Sequence, residues 1–238
     1  MSVTAGSLLG GRVPYCQPAH GHRSGIEPVL LAASIPARAG ARVLEGGSGA
    51  GAGLLCLAAR VPDISGLGLE VEAAPLACAL ANAAGLPGLR FEQVNLTTAP
   101  IAGRFDHAMA NPPWHPPGTL SPDAGREMAR RATASVFADW ARALAAPLRH
   151  HGSLTLVLPA AALASALAAL TAAGCGSPQV FPLWPRAGRD AKLLLLRAIK
   201  GGKGPARVLA GLVLHEADGG FTPAAQAILR DGQALLFG

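Results

Sequence analysis

Charge and aromaticity are both scarce in this 238-residue chain: 14% of the residues are charged and 4% are aromatic, with one tyrosine, three tryptophans and six phenylalanines. So little charge beside 50% hydrophobic residues excludes intrinsic disorder, because the apolar surface suffices to offset chain entropy. Cysteine is sparse as well. Cys16, Cys56, Cys78 and Cys175 form no CxxC pair, and none of the seven histidines falls in an HExxH pattern. No metal is therefore expected, and a reduced, cytoplasmic setting fits the cysteine usage.

A local absence is more pronounced. From Gly152 to Pro185 there is no charged residue, which on hydropathy alone resembles a membrane span. A span needs ~20 unbroken apolar helical residues, and Pro159, Gly174, Gly176 and Pro178 interrupt this stretch. No membrane association is expected. Gly10, Gly11 and Arg12 likewise break the apolar run that a secretory signal requires. What the chain does have is alanine, about a fifth of all residues, and a net charge of +6 carried mostly by arginine. Seven cations, Arg186, Arg189, Lys192, Arg197, Lys200, Lys203 and Arg207, crowd one segment against a single acid, Asp190. Such a stripe is either a solvated face or a surface for a polyanion.

No internal repeat or low-complexity linker divides the chain. One domain is expected over residues 1–238, with a hairpin-and-helix extension at 1–35 and a Rossmann-like core at 36–238. Gly10-Gly11 between short apolar runs predicts a hairpin turn ahead of Val13 to Gln17, and Glu27-Pro28 opens a helix to Ser34. Strands are expected at Arg42–Glu45, Ile64–Glu70, Leu89–Val94, Asp106–Ala110, Ser153–Leu158, Val180–Leu183 and Lys192–Arg197. Between them fall helices at Ala52–Arg60, Ala73–Ala84, Asp123–Ala146 and Ala160–Ala173, with His150-His151 in a surface turn. This alternation predicts an α/β fold, a mostly parallel sheet with helices on both faces and ligands at the carboxyl ends of its strands.

The first strand runs directly into Glu45-Gly46-Gly47-Ser48-Gly49-Ala50-Gly51 and then a helix. Glycines allow a tight turn and close approach to a ligand, and the helix amino terminus adds N–H donors. Gly47-x-Gly49-x-x-Ala52 also satisfies a dinucleotide fingerprint, and Ser48 lies in an incomplete nucleophile elbow. Glu45 would repel a pyrophosphate but attract the ammonium of an amino-acid moiety, which favours S-adenosylmethionine over NAD. Glu70, ending the second strand, would accept hydrogen bonds from ribose hydroxyls, and Asn95 is a candidate contact to adenine.

Asn111-Pro112-Pro113-Trp114 follows the fourth strand and so falls on the same sheet edge as the glycine turn. Two acceptors, the Asn111 side-chain oxygen and the Pro112 carbonyl, would hold a planar amino group by its two N–H bonds. Its lone pair then turns toward a methyl donor. Prolines fix the backbone here, and Trp114 would offer a face for a base.

These residues carry a resemblance. Val43 to Gly51, Glu70, Asn82 and Asn111-Pro112-Pro113-Trp114 resemble the class I S-adenosylmethionine methyltransferases of the small methyltransferase domain group, and most of all the bacterial tRNA(Val) adenine-N6 methyltransferase family. The similarity runs from Gly25-Ile26-Glu27-Pro28 through Ser121-Pro122-Asp123 and Arg126 to Arg130, and on to Leu212 to Glu216 and Phe221-Thr222-Pro223. It implies a seven-stranded sheet with an antiparallel last strand, S-adenosylmethionine as cofactor, Glu27 among the cofactor-binding residues, and N6-adenine methylation of RNA, with tRNA as substrate. The stripe including Arg186, Arg189, Lys192, Lys200 and Lys203 would face RNA phosphates. Related enzymes with the same Asn-Pro-Pro-aromatic signature methylate guanine N2 of ribosomal RNA or a release-factor glutamine. Glu45-Gly46-Gly47-Ser48 stands where the family usually has Asp-Leu-Gly-Cys, and Glu27 and Asn95 where it usually has Asp. A non-catalytic binder of S-adenosylmethionine is the corresponding alternative.

Overall fold

The computed structural model describes residues 2–20, 24–113 and 124–237, with side chains in the helix that starts at 124 described from 135 onward. Strands β1 (Val3–Leu8) and β2 (Val13–Pro18) pair antiparallel across a tight turn, with Leu8 opposite Val13. Helix α1 (Glu27–Ser34) follows, with Pro28 in its first turn, where a missing N–H costs least.

The alternating region then runs β3 (Arg42–Gly46), α2 (Ala52–Arg60), β4 (Ser65–Glu70), α3 (Ala73–Asn82), β5 (Leu89–Gln93), β6 (Phe105–Ala110), α4 (Ala124–Ala145) and β7 (Leu148–Pro159). It closes with α5 (Leu163–Ala172), β8 (Cys175–Arg186), β9 (Leu193–Lys200), the short strands β10 (Arg207–Val208) and β11 (Leu212–His215), and α6 (Pro223–Leu229). The sheet order is β10-β8-β9-β7-β6-β3-β4-β5, and β11 also pairs with β8. Strands β3 to β7 run parallel, while β9 inserts antiparallel between β7 and β8. Seven strands thus form the expected α/β sheet, with the seventh antiparallel.

Two strands and a helix exceed the expectation of seven strands. β10 and β11 dock one after the other on the outer edge of β8. At two and four residues, amid Gly201, Gly202, Gly204 and Gly211, they are too short for an alternating pattern to register in sequence. Helix α6 starts at Thr222, whose Oγ1 accepts the Ala225 N–H at 3.1 Å. His150 and His151 lie inside β7 rather than in a turn. His151 has φ 66°, and the β6–β7 register shifts between Phe105 and His107.

Apolar side chains alternate between two layers. Val43, Met109, Val157 and Leu195 face the layer that contains Leu30, Leu31, Leu54 and Leu57, whereas Leu44, Leu154, Leu156 and Leu196 face Phe137 and Leu144 of α4. Strands buried on both faces therefore carry continuous apolar runs. That accounts for the uncharged stretch from Gly152 to Pro185, and no described helix is long and apolar enough to cross a membrane.

Candidate active site at the carboxyl ends of the strands

A cavity of about 680 Å³ opens where β3, β4, β6 and β7 end and β9 begins. Among the expected site residues, Glu27, Gly47, Glu70, Asn95, Asn111, Pro112 and Pro113 line it. Trp114 lies outside the described residues. Glu45, Gly49 and Gly51 are not among the described lining residues.

The glycine turn is held by specific bonds. The Ser48 N–H donates to the Leu69 carbonyl at 3.0 Å, and the Gly49 N–H donates to Glu70 Oε2 at 2.8 Å. Gly47 has φ 62° and Gly51 φ 87°, and a Cβ at Gly51 would stand 2.8 Å from the Phe91 ring. Both conformation and space therefore demand glycine at these two positions. Glu70 Oε1 accepts the Val71 and Glu72 N–H groups at 2.8 and 2.9 Å, so its buried carboxylate already takes three backbone donors.

Glu45 corrects an expectation. Its side chain points beneath α2, where Oε2 accepts the Leu54 N–H at 3.1 Å and a Cβ at Gly53 would collide with Oε1. It is 4% exposed, and burial pushes its pKa up to about 8, with Glu70 adding a like-charge contribution. A carboxyl so placed is not on the described lining of the cavity, where the ammonium contact is expected. Ser48, in the incomplete nucleophile elbow, has a buried Oγ with no hydrogen-bond partner among the described residues, so no described base is placed to activate it.

Gly46 is in register with Ala110, so Gly47 and Asn111 leave adjacent parallel strands side by side. Neighbouring strands lie ~4.8 Å apart, which sets the glycine turn against the Asn-Pro-Pro segment. Asn111 is half-buried and its side chain has no hydrogen bond among the described residues. Asn95 is exposed, and its Oδ1 accepts the Thr97 N–H and Oγ1–H at 3.1 and 2.9 Å.

Sequence reasoning missed Trp140. It belongs to the inner face of α4 with Phe137, Ala141 and Leu144, yet it lines the cavity, and a Cβ at Gly47 would stand 2.6 Å from its ring. The helical spacing marks 140 as a core position; only the strand order brings it over the glycine turn. Glu72 was missed too. With Glu27 and Glu70 it makes three carboxylates on the lining, against no lysine or arginine among the described lining residues.

The basic stripe separates into three. Arg186, Arg189 and Lys192 are exposed around the β8–β9 connection, adjoining Pro159 and Leu193 of the lining. Lys200, Lys203 and Arg207 fall at the other end of the sheet, where Lys200 pairs with Cys175 and donates to the Ala173 carbonyl at 2.9 Å. Arg197 leaves the surface altogether. Its guanidinium lies 3.8 Å from the centre of the Phe237 ring and donates to Thr155 Oγ1 and the Ser34 carbonyl, and burial lowers its pKa to about 10.

Residues 27–162 match the family described as the methyltransferase small domain. A tRNA1(Val) (adenine(37)-N6)-methyltransferase of Aeromonas hydrophila is 31% identical over 209 residues, which cover 83% of this chain and 84% of that protein. One of Bacteroides thetaiotaomicron is 31% identical over 139 residues, covering 57% of this chain and only 59% of the relative. Among solved structures, a protein of Agrobacterium tumefaciens described as a predicted O-methyltransferase superposes with a TM-score of 0.73 at 24% identity, covering 88% of this chain and 98% of that one.

Proposed function

The chain belongs to the methyltransferase small domain family, and from that membership we propose that it methylates N6 of an adenine in RNA, with tRNA as the substrate class. Its methyl donor is S-adenosylmethionine. The cavity suits that cofactor, because its described lining residues include three carboxylates and no cation, which favours a cationic ligand and disfavours a pyrophosphate. When bound, the cofactor supplies an electrophilic methyl group on a cationic sulfur.

The residues divide the remaining work. Glu70 is assigned to the ribose hydroxyls. Having spent three of about four acceptor positions on backbone N–H groups, it has room for one such bond, and Glu72 is the neighbouring carboxylate for a second. Glu27 and Asn95 complete the cofactor side. Asn111 Oδ1 and the Pro112 carbonyl are assigned to the amino group that receives the methyl. They accept its two N–H bonds, turn its lone pair toward the donor and stabilise the charge developing on nitrogen. The observation that carries this reading is the Asn111 amide, without a hydrogen bond among the described residues, beside Gly47 in a cavity whose described lining is acidic. The names of the Aeromonas and Bacteroides relatives support adenine in tRNA as the acceptor.

RNA phosphates are assigned to Arg186, Arg189 and Lys192, on the cavity's edge of the sheet. Methyl-label transfer to purified tRNA, ribosomes and release factors, followed by mass spectrometry of the modified nucleosides, tests the acceptor. Label in tRNA as N6-methyladenosine supports the proposal; label in guanine or in a protein glutamine refutes it. Asn111→Ala should abolish transfer while cofactor affinity stays within about threefold, because the assigned bond forms only with the acceptor. Tight cofactor binding by the unaltered protein without transfer to any substrate would mark a non-catalytic binder.

A further inference from the structure

Phe137, Ala141, Leu144 and Ala145 of α4 are fully buried. Trp140 shares their face but is only half-buried, because the cavity opens beneath it. Its six-membered ring presses on the first residue of the glycine turn: a Cβ at Gly47 would stand 2.6 Å from Cη2 and 3.2 Å from Cζ3. Gly47 and Asn111 emerge side by side from paired strands. The indole therefore borders the space between the cofactor turn and the acceptor-holding asparagine. It is the one aromatic side chain among the described lining residues. The carboxyl expected to attract positive charge at this turn, Glu45, is buried on the far side of it.

A methyl donor's sulfonium needs stabilisation from a group that will not itself accept the methyl. A carboxylate in contact with that methyl offers a lone pair and competes as nucleophile. An indole face attracts a cation through its quadrupole and offers no such lone pair. We propose that Trp140 is a positioning residue that lays its π face against the sulfonium end of S-adenosylmethionine, and thereby makes the site prefer the charged donor over the uncharged thioether product, S-adenosylhomocysteine. This rests on the methyltransferase reading above.

Calorimetric titration of the purified protein with each ligand, for the unaltered chain, Trp140→Leu and Trp140→Phe, tests it. Trp140→Leu should weaken S-adenosylmethionine about tenfold and S-adenosylhomocysteine by no more than about twofold, within the range of a desolvated cation–π contact. Trp140→Phe keeps a smaller ring and should show a lesser loss of the same selectivity, which separates the effect from any loss of folding in the leucine variant. Equal weakening of both ligands would reduce Trp140 to a wall, and no weakening of either would remove it from the site; both overturn the proposal. If the unaltered protein binds neither ligand, the methyltransferase reading falls and takes this proposal with it.

Discussion

Glu45 offers the sharpest test of how burial tunes this fold. No cation is hydrogen-bonded to its carboxyl among the described residues, the Leu54 N–H is its one donor, and burial raises its pKa from 4.5 to about 8. The folded chain therefore keeps a proton that the unfolded chain releases above pH ~4.5, and stability falls by about 1.4 kcal/mol per pH unit until the folded group ionises near 8. His107 works in the opposite sense. Its burial, partly offset by Asp106, lowers its pKa from 6.5 to about 4, so acidification below 6.5 protonates the unfolded chain first and costs stability.

Between pH 4.5 and 6.5 the two slopes cancel. From 6.5 to 8 only Glu45 titrates, and the protein should lose about 2 kcal/mol. Glu45→Gln retains an acceptor for the Leu54 N–H and cannot ionise. The variant should hold its stability across that window and, below 6.5, reveal the uncompensated decline due to His107. Urea unfolding of both proteins at pH 5.5, 6.5, 7.25 and 8 measures this. Parallel pH profiles for the two would refute the reasoning, for they would mean that the folded state binds no extra proton at Glu45.

Asn82 ties the hairpin to the glycine turn, accepting the Cys16 N–H at 2.8 Å and donating to the Cys16 and Ala50 carbonyls at 2.8 and 3.0 Å; Asn82→Ala should cost about 2–3 kcal/mol and speed hydrogen exchange at the Cys16 amide. Gly47→Ala combines an unfavourable φ of 62° with a clash against Trp140 and should abolish cofactor binding; adding Trp140→Leu removes the clash but not the backbone strain, so calorimetry should show partial recovery at most. Replacing Arg186 and Lys192 by glutamate should weaken tRNA binding at least tenfold and reduce its salt slope by about 2, whereas the same change at Lys203 and Arg207 should leave both within about threefold, as read by filter binding across salt concentrations.

The contrast between those two pairs also marks where the sequence stops being informative. Helices α1 and α2 have the expected limits because Pro28 and the glycine turn punctuate the chain locally. Gly47, Glu70 and Asn111 were legible for the same reason: each sits at a strand end whose position follows from a short apolar run. The cationic stripe is continuous in sequence but not in space, since β8 and β9 are antiparallel and send residues 186–192 and 200–207 to opposite ends of the sheet. Glu45 shares strand parity with Val43, which faces α2, but nothing local says which face of β3 opens to the cavity. Trp140 lies far along the chain from Gly47, and their contact exists only because α4 crosses the ends of β3 and β6.

That spatial division supplies the electrostatic logic of the proposed site. With ~3.3 Å per strand residue, Arg207, opposite Gln179, lies roughly 23 Å along β8 from Arg186, at least two screening lengths at physiological salt. Far-edge cations therefore contribute little field at the cavity, and the segment's charge acts there through the three residues of the β8–β9 connection. Glu27, Glu70 and Glu72 line the cavity beside this cationic rim. Under the proposed function, a polyanion would be drawn to the rim and repelled by the described lining of the pocket, a cationic cofactor would be drawn to the pocket, and the part of a nucleic acid that would cross the boundary at low electrostatic cost is an uncharged base swung out of its stack. In the proposed site the acids that favour the donor would also keep phosphates away from its sulfonium, and charge reversal at Glu72 should admit the backbone to the pocket and lower discrimination rather than improve binding.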